Sequence, residues 1–260
     1  MRGRLQGKAA VVLGCSASGG TGWAIAQALA VEGVRVLVAA RRREPLDRLA
    51  AEIGGVAHVC DVADPMEVAD LAGAAREAFG TIDIAVNAAG LPVAGAIADI
   101  GADDIQAALN VNYVGNVHFI RHMAAAMNDG GSIILISSSS ATQPMQPFFA
   151  YACAKAATDC LVRYAAIEYG ARGIRVNSIL PGPIRSDMAK ALWDVPGMDA
   201  MFAREVPLGR IGDPSDFADA VLWLSGPAFV TGLNLPVSGG NQMTRPPRPD
   251  EIDVISAQSG

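Results

Sequence analysis

Seven short apolar runs, most of them rich in branched residues, recur along the chain: AAVVLG (9–14), VRVLVAA (34–40), VAHVC (56–60), IDIAVNA (82–88), SIILIS (132–137), IRVNSIL (174–180) and LNLPVSG (233–239). Each is short and lacks a polar face, which is the pattern of a strand buried on both sides. Between them, stretches such as GWAIAQALAVEG, PLDRLAAEIG, PMEVADLAGAAREAFG and YACAKAATDCLVRYAAIEYG carry apolar residues at helical spacing and end in Gly, the usual helix stop. Strand followed by helix, repeated, predicts crossover units: one α/β domain with a doubly wound, seven-stranded parallel sheet and helices on both faces. Nothing in composition cuts residues 1–243 into two units. Two regions break the rhythm. Residues 181–212 read as loop plus short helices, a candidate lid, and the Pro-rich tail 244–260 reads as either disordered or packed on a neighbouring subunit.

A chain of 260 residues can bury a sizeable core. Its net charge of -6, with basic residues dispersed, argues against nucleic acid or an anionic membrane surface as the main partner and leaves small molecules or proteins. The basic start before AAVVLG mimics a leader, but six apolar residues running into glycines fit a buried strand better. No apolar run approaches the roughly 20 residues needed to span a bilayer. The four cysteines form no CxxC pair. On one helix Cys153 and Cys160 would stand about 10 Å apart along the axis, beyond disulfide reach. The expectation is a soluble cytoplasmic protein with reduced thiols.

In an open parallel sheet, ligands bind beyond the carboxyl ends of the strands. The first strand runs into GCSASGGTG, where Gly14, Ser16, Ser18, Gly20, Thr21 and Gly22 are candidate pyrophosphate contacts at a helix N-terminus, or form no more than a tight turn. The second ends in Ala40 followed by Arg41, Arg42 and Arg43. A carboxylate there would suit the ribose hydroxyls of NAD(H), whereas guanidinium groups suit a 2′-phosphate, so NADP(H) is preferred and NAD(H) remains possible. In CDVAD, Asp61 and Val62 meet the adenine, or Asp61 caps the next helix. Asn87, Ala88 and Gly90 of NAAG are small enough for a cofactor to lie against the backbone, and Asn87 equally suits a tie between strands.

The chain has three lysines, and one of them, Lys155, lies inside a largely apolar helix four residues after Tyr151. That spacing puts both on one face. A phenol with a pKa near 10 is too weak an acid for proton transfer at neutral pH, and a fixed ammonium favours phenolate. Ser138 ends the preceding strand, placed to bond a substrate carbonyl oxygen or simply to terminate the strand.

The Gly-rich turn, CDVAD, NAAG, Asn112 in NVNYVG, Ser138, YACAK, PGPI (181–184) and VSGG (237–240) occur in the order and spacing of the short-chain dehydrogenase/reductase family, which the sequence resembles from about residue 5 to 243. The resemblance implies a Rossmann-type fold and an NAD(P)-dependent oxidoreductase interconverting a carbonyl and an alcohol. In it Tyr151 is the acid/base, Lys155 lowers its pKa and holds the nicotinamide ribose, Ser138 polarises the carbonyl, and Asn112 supports a proton relay. It also implies that the segment Pro181, Gly182, Ile184 and Ser186 meets the carboxamide, and that the assembly is a homotetramer, or failing that a homodimer, built on helix 151–170 and on the last strand with its tail. Aligned on Gly20 and Gly22, Ser16 stands at the family's first Gly position and Gly14 fits only with two extra residues. Ser238 replaces a usual Asp.

His118 and His122 share the i,i+4 spacing of zinc ligands but lack a carboxylate or thiol motif, so helix-surface or interface positions are expected and no metal. Gln143, Met145, Phe148, Phe149 and Trp193 bring apolar bulk to segments beside Tyr151. They predict an apolar pocket for a bulky or ring-bearing substrate, or ordinary packing.

Overall fold

The computed structural model describes residues 3–186 and 189–258. Residues 187 and 188 of the candidate lid and 259 and 260 of the tail lie outside them. Strands β1 (Ala9–Leu13), β2 (Arg35–Ala40), β3 (Val56–Val59), β4 (Ile84–Asn87), β5 (Ser132–Ile136), β6 (Arg175–Pro181) and β7 (Asn234–Val237) pair in parallel in the order β3-β2-β1-β4-β5-β6-β7. β1 is therefore an interior strand, with Val12 opposite Val38 on one side and Val86 on the other. The chain winds outward from β1 through β2 to β3, then crosses to β4 and winds the other way. The two halves part beyond Leu13 and Asn87, so a crevice opens there.

Alternate strand residues feed two cores. Ala10, Val12, Val36, Val38, Val86 and Ile134 pack under α1 (Thr21–Val31), α2 (Arg43–Ile53) and, late in the chain, α9 (Pro214–Ser225). Val11, Leu13, Leu37, Ala85, Ile133 and Leu135 pack under α3 (Pro65–Phe79), α5 (Gly115–Ala126) and α6 (Phe149–Gly170). Helix starts are specified locally. Asp64 accepts hydrogen bonds from the Met66 and Glu67 amides at 2.8 and 3.3 Å with Pro65 in the first turn, so Asp64, not Asp61, caps α3. Helix α4 (Ala102–Leu109) runs into α5 through a π turn, Asn110–Val114.

One expectation changes. β3 and β7 are the edge strands, and the sequence read both as buried on two faces. Val56 and Val59 are 39 % and 40 % exposed and β7 is half-buried, because each has a neighbour on one side only. Beyond the 181–212 segment, which carries the short helices α7 (Lys190–Trp193) and α8 (Met198–Arg204), the C-terminal residues form α10 (Pro249–Gln258) and fold back on their own chain. Ile252 packs on a third apolar cluster of Met198, Met201, Phe202 and Ile211.

Candidate active site

The carboxyl ends of β1, β2 and β4 wall a cleft of about 460 Å³. Gly14, Ser16, Gly20, Thr21, Gly22, Arg41, Asp61, Val62, Ala88 and Gly90 line its nucleotide end, and Ser138, Tyr151, Lys155, Pro181, Gly182, Ile184 and Ser186 its other end. The first loop settles which glycines the backbone demands. Gly14 has φ +101, and a Cβ there would fall 2.5 Å from the Ala88 carbonyl carbon. At Gly22 a Cβ would fall 2.5 Å from the Gly14 oxygen, whereas Gly20 has an ordinary extended conformation and more room. Gly14 is thus the residue that lets the loop cross β4 closely, and the two extra residues lie between it and Gly20. The first turn of α1 has no side-chain cap and no acidic residue, leaving amide N–H groups and the helix dipole directed at the cleft. Small residues opposite a helix start, with charge of the right sign nearby, fit a dinucleotide pyrophosphate.

Arg41 is exposed at the cleft edge, and among the described residues its guanidinium makes no hydrogen bond or ion pair. Its neighbours are used otherwise. Arg42 donates to the Ser16 carbonyl at 2.6 Å and braces the loop, and Arg43 pairs with Asp47. Neither Arg42 nor the exposed Ser18 lines the cleft. Asp61 does, with one oxygen accepting from the Ala63 amide at 3.0 Å.

Asn87 and Asn112 lie behind the cleft wall. Asn87 Nδ2 donates to Asn116 Oδ1 at 2.8 Å and its Oδ1 accepts from the Ala89 amide, so it is a tie inside the fold. The Asn112 side chain clasps the Leu91 main chain through both its amide and carbonyl, at 3.1 and 2.9 Å, and fixes the loop after β4. The Asn112 carbonyl, released by the π turn, accepts from Thr158 Oγ1 at 2.6 Å and Asn116 Nδ2 at 2.8 Å. The side chains of both asparagines are thus spent on bonds inside the fold, and neither residue lines the cleft.

Tyr151 and Lys155 share one face of α6. The Lys155 Nζ lies 5.5 Å from the Tyr151 ring centroid and donates to the Ile136 carbonyl at 2.7 Å. Burial pushes the Tyr151 phenol above its ordinary value, and a hydrogen bond with Ser138 pulls it partly back. Burial likewise lowers the Lys155 ammonium to about 8, opposed by the Asp159 carboxylate one turn on. In the unliganded chain desolvation is the larger influence on the phenol, and the Ser138 bond opposes it.

Ser138 and Tyr151 also line a second cavity of about 580 Å³, shared with the PGPI segment. Its walls include Met145, Phe148, Leu192, Trp193, Phe202 and Ile252, with Gln143 among few polar groups. Trp193 donates to the Ile184 carbonyl at 2.7 Å and stacks edge-on against Phe202. Phe149, expected here, lines instead an adjoining outer groove with Cys153 and Ala156, whereas Phe148 borders both. Pro92, Asn241, Pro246 and Ile252 were missed; they reach the pocket by tertiary return of distant segments, for which sequence has no local signal. In the nucleotide cleft Leu13, Cys60 and Ile136 were missed because apolar strand ends read as core, and Val111 because it comes from the π turn. Among the described residues no His, Cys, Asp or Glu cluster could hold a metal, and no helix is long and apolar enough to cross a membrane.

A nucleotide cleft that opens through a tyrosine and a serine into an apolar chamber is the plan of a dinucleotide-dependent enzyme. Comparison with known proteins gives the family. A family model described as enoyl-(acyl carrier protein) reductase matches residues 14–242. D-threitol dehydrogenase of Mycolicibacterium smegmatis is 34 % identical over 91 % of this chain and 94 % of its own, and the 7alpha-hydroxysteroid dehydrogenase of Escherichia coli K12 is 35 % identical over 91 % and 95 %. A crystal structure of a mutant actinorhodin polyketide ketoreductase with NADPH superposes with a TM-score of 0.85 at 28 % identity, over 93 % of this chain and 99 % of that one. The chain belongs to the short-chain dehydrogenase/reductase family. It is an oxidoreductase working between hydroxyl and carbonyl groups, in a family that binds NAD(P).

Proposed function

We propose that this enzyme reduces a bulky or ring-bearing, largely apolar ketone to a secondary alcohol with NADPH, and can run in reverse. The observation that carries the proposal is that Ser138 and Tyr151 stand on the boundary of both cavities, where a substrate oxygen and a nicotinamide would meet. Bound nicotinamide supplies the hydride donor or acceptor. The chain does the rest. Tyr151 donates its proton to the substrate oxygen as negative charge develops there, and the Ser138 hydroxyl holds that oxygen. The raised phenol pKa keeps Tyr151 protonated at neutral pH, the form that carbonyl reduction needs. In the reverse direction the Lys155 ammonium and the Ser138 bond favour phenolate. Lys155 also suits a ribose hydroxyl, and the α1 N-terminus with Gly14, Gly20 and Gly22 the pyrophosphate. The Pro181–Ser186 segment suits the carboxamide, and unpaired Arg41 a 2′-phosphate. Arg42 braces the loop from behind.

The relatives' names span a small polyol and a fused-ring steroid. A polyol would leave most of its hydroxyls unpaired against Met145, Phe148 and Trp193, so the apolar lining favours the ring-bearing class. The test is a panel of aliphatic, alicyclic, aromatic and steroid ketones and a small ketose, monitored by NADPH absorbance. Ring-bearing ketones are expected to exceed the ketose in kcat/KM by more than about a hundredfold. A ketose turned over as well as any ring ketone overturns the substrate reading. For the cofactor, Arg41→Ala should weaken NADPH binding by roughly tenfold or more and leave NADH unchanged; equal loss for both overturns it. The exposed face of α6 supports a homotetramer or homodimer, and four free cysteines, two of them exposed, support a reducing, cytoplasmic setting.

A further inference from the structure

The substrate pocket has a wall made by the end of the chain. After β7 the backbone passes Asn241 and Thr244 and is stitched to both flanks of the cavity. From one side, Gln143 Nε2 donates to the Asn241 and Thr244 carbonyls at 3.0 and 3.2 Å. On the other, Asn241 Nδ2 donates at 3.1 Å and Thr244 Oγ1 at 2.5 Å to the Glu205 carbonyl at the end of α8. Gln143, which the sequence offers as a substrate contact, thus spends its amide on this tether.

Beyond it, Arg245 bridges two carboxylates. Its Nη2 lies 3.2 Å from Glu205 Oε1, and its guanidinium grips Glu251 of α10 with two bonds of 2.7 and 2.8 Å. Glu251 accepts also from the Arg248 amide at 2.7 Å. This clasp seats the first turn of α10 so that Pro246 and Ile252 face the cavity and Ile252 joins Met198, Met201 and Phe202.

We propose that residues 244–252 form a strap that sets the size limit of the substrate pocket, with Pro246 and Ile252 as specificity-determining residues and Arg245 as the residue that positions them. The inference rests on the reading of this cavity as the substrate site. Exposed ion pairs are individually weak, and without Arg245 the two glutamates would face each other unscreened. The strap is therefore among the less stable parts of the fold and opens before the sheet does. Arg245 and Arg248 hold Glu251 down to about 2. A depressed carboxylate keeps its contribution at every pH above the unfolded value and loses it only as pH falls toward 2. Salt, not physiological pH, is what loosens the clasp.

The test uses the full-length enzyme and a graded ketone series: cyclohexanone, a decalone and a steroid ketone. Ile252→Trp should lower kcat/KM for the steroid ketone roughly tenfold or more while that for cyclohexanone stays within about twofold. Arg245→Met should raise KM for the larger ketones without changing kcat, and the rise of KM with added sodium chloride expected of the parent should be absent from it. NADPH affinity, measured by fluorescence, should be unchanged in both. Equal loss on all ketones, or no change on any, overturns the proposal. If the parent reduces no ketone, the proposed function fails by itself, and 1-anilinonaphthalene-8-sulfonate then reads the strap. Its affinity must fall in Ile252→Trp and become salt-independent in Arg245→Met, and an unaltered dye isotherm overturns the strap.

Discussion

Lys155 is only 2 % exposed, and burial lowers its pKa from 10.5 to about 8. A cation whose folded pKa is depressed is destabilising below that value, where the folded state must carry a buried charge, and the penalty disappears as pH rises through the window from about 8 to 10.5. The penalty is on the order of 3 kcal/mol, part of which the bond to the Ile136 carbonyl offsets. Lys155→Met should therefore inactivate the enzyme. In urea unfolding, any stability it gains over the parent at pH 7 should shrink at pH 10; a gap that widens with pH contradicts the buried charge. Tyr151→Phe should abolish turnover and leave NADPH affinity nearly unchanged, and a variant retaining a tenth of the activity would sink its acid/base role. Ser138 lowers the Tyr151 pKa. In alcohol oxidation, which needs phenolate, Ser138→Ala should move the acidic limb of the kcat profile to higher pH as well as slowing the reaction.

At the scale of elements, the first loop separates glycines by function. Ala at position 14 would need φ near +101 and would press on the end of β4. Gly14→Ala should cost about 2 kcal/mol or more and weaken NADPH binding. Gly20→Ala meets Ala17, whose oxygen is nearest at 3.1 Å, and should stay close to the parent in thermal melts. Equal effects of the two substitutions would contradict the loop geometry. The sequence left this point open because spacing counts residues, not the path the backbone takes between them. Elsewhere the same division holds. Strand and helix periods located all seven strands and the Tyr151–Lys155 face, since these depend on local pattern. Which strands lie at the edges does not, so VAHVC and LNLPVSG looked like their central counterparts. Phe148 and Phe149 are chemically identical neighbours, and that only Phe148 reaches the substrate cavity comes from how α6 begins. Asn112 was visible as a motif residue, but its bonds to Leu91 and Thr158 depend on contacts between separate elements.

In the whole molecule, helix α6 carries a face that none of the described residues covers. Cys153, Cys160, Tyr164 and Ile167 are exposed and fall within one narrow arc at 100° per residue. Tyr164 and Ile167 are 70 % and 83 % exposed, an apolar stripe that supports a second copy packing there. Ile167→Glu should shift the light-scattering mass to a smaller species while the melting curve of the smaller species remains cooperative. A parent that already runs as a monomer contradicts the assembly.

The π turn at Asn110–Val114 bears on how this enzyme tolerates changes in length. A helix wound more loosely at one point holds one residue beyond regular winding. Deleting a single position there would let the segment relax into an unbroken spiral with little net rotation of α5 relative to α4, whereas the same deletion in a regular turn would rotate one helix on the other by about 100°. The Asn112 carbonyl would then take a backbone amide as its partner, and Thr158 and Asn116 would lose the acceptor they share.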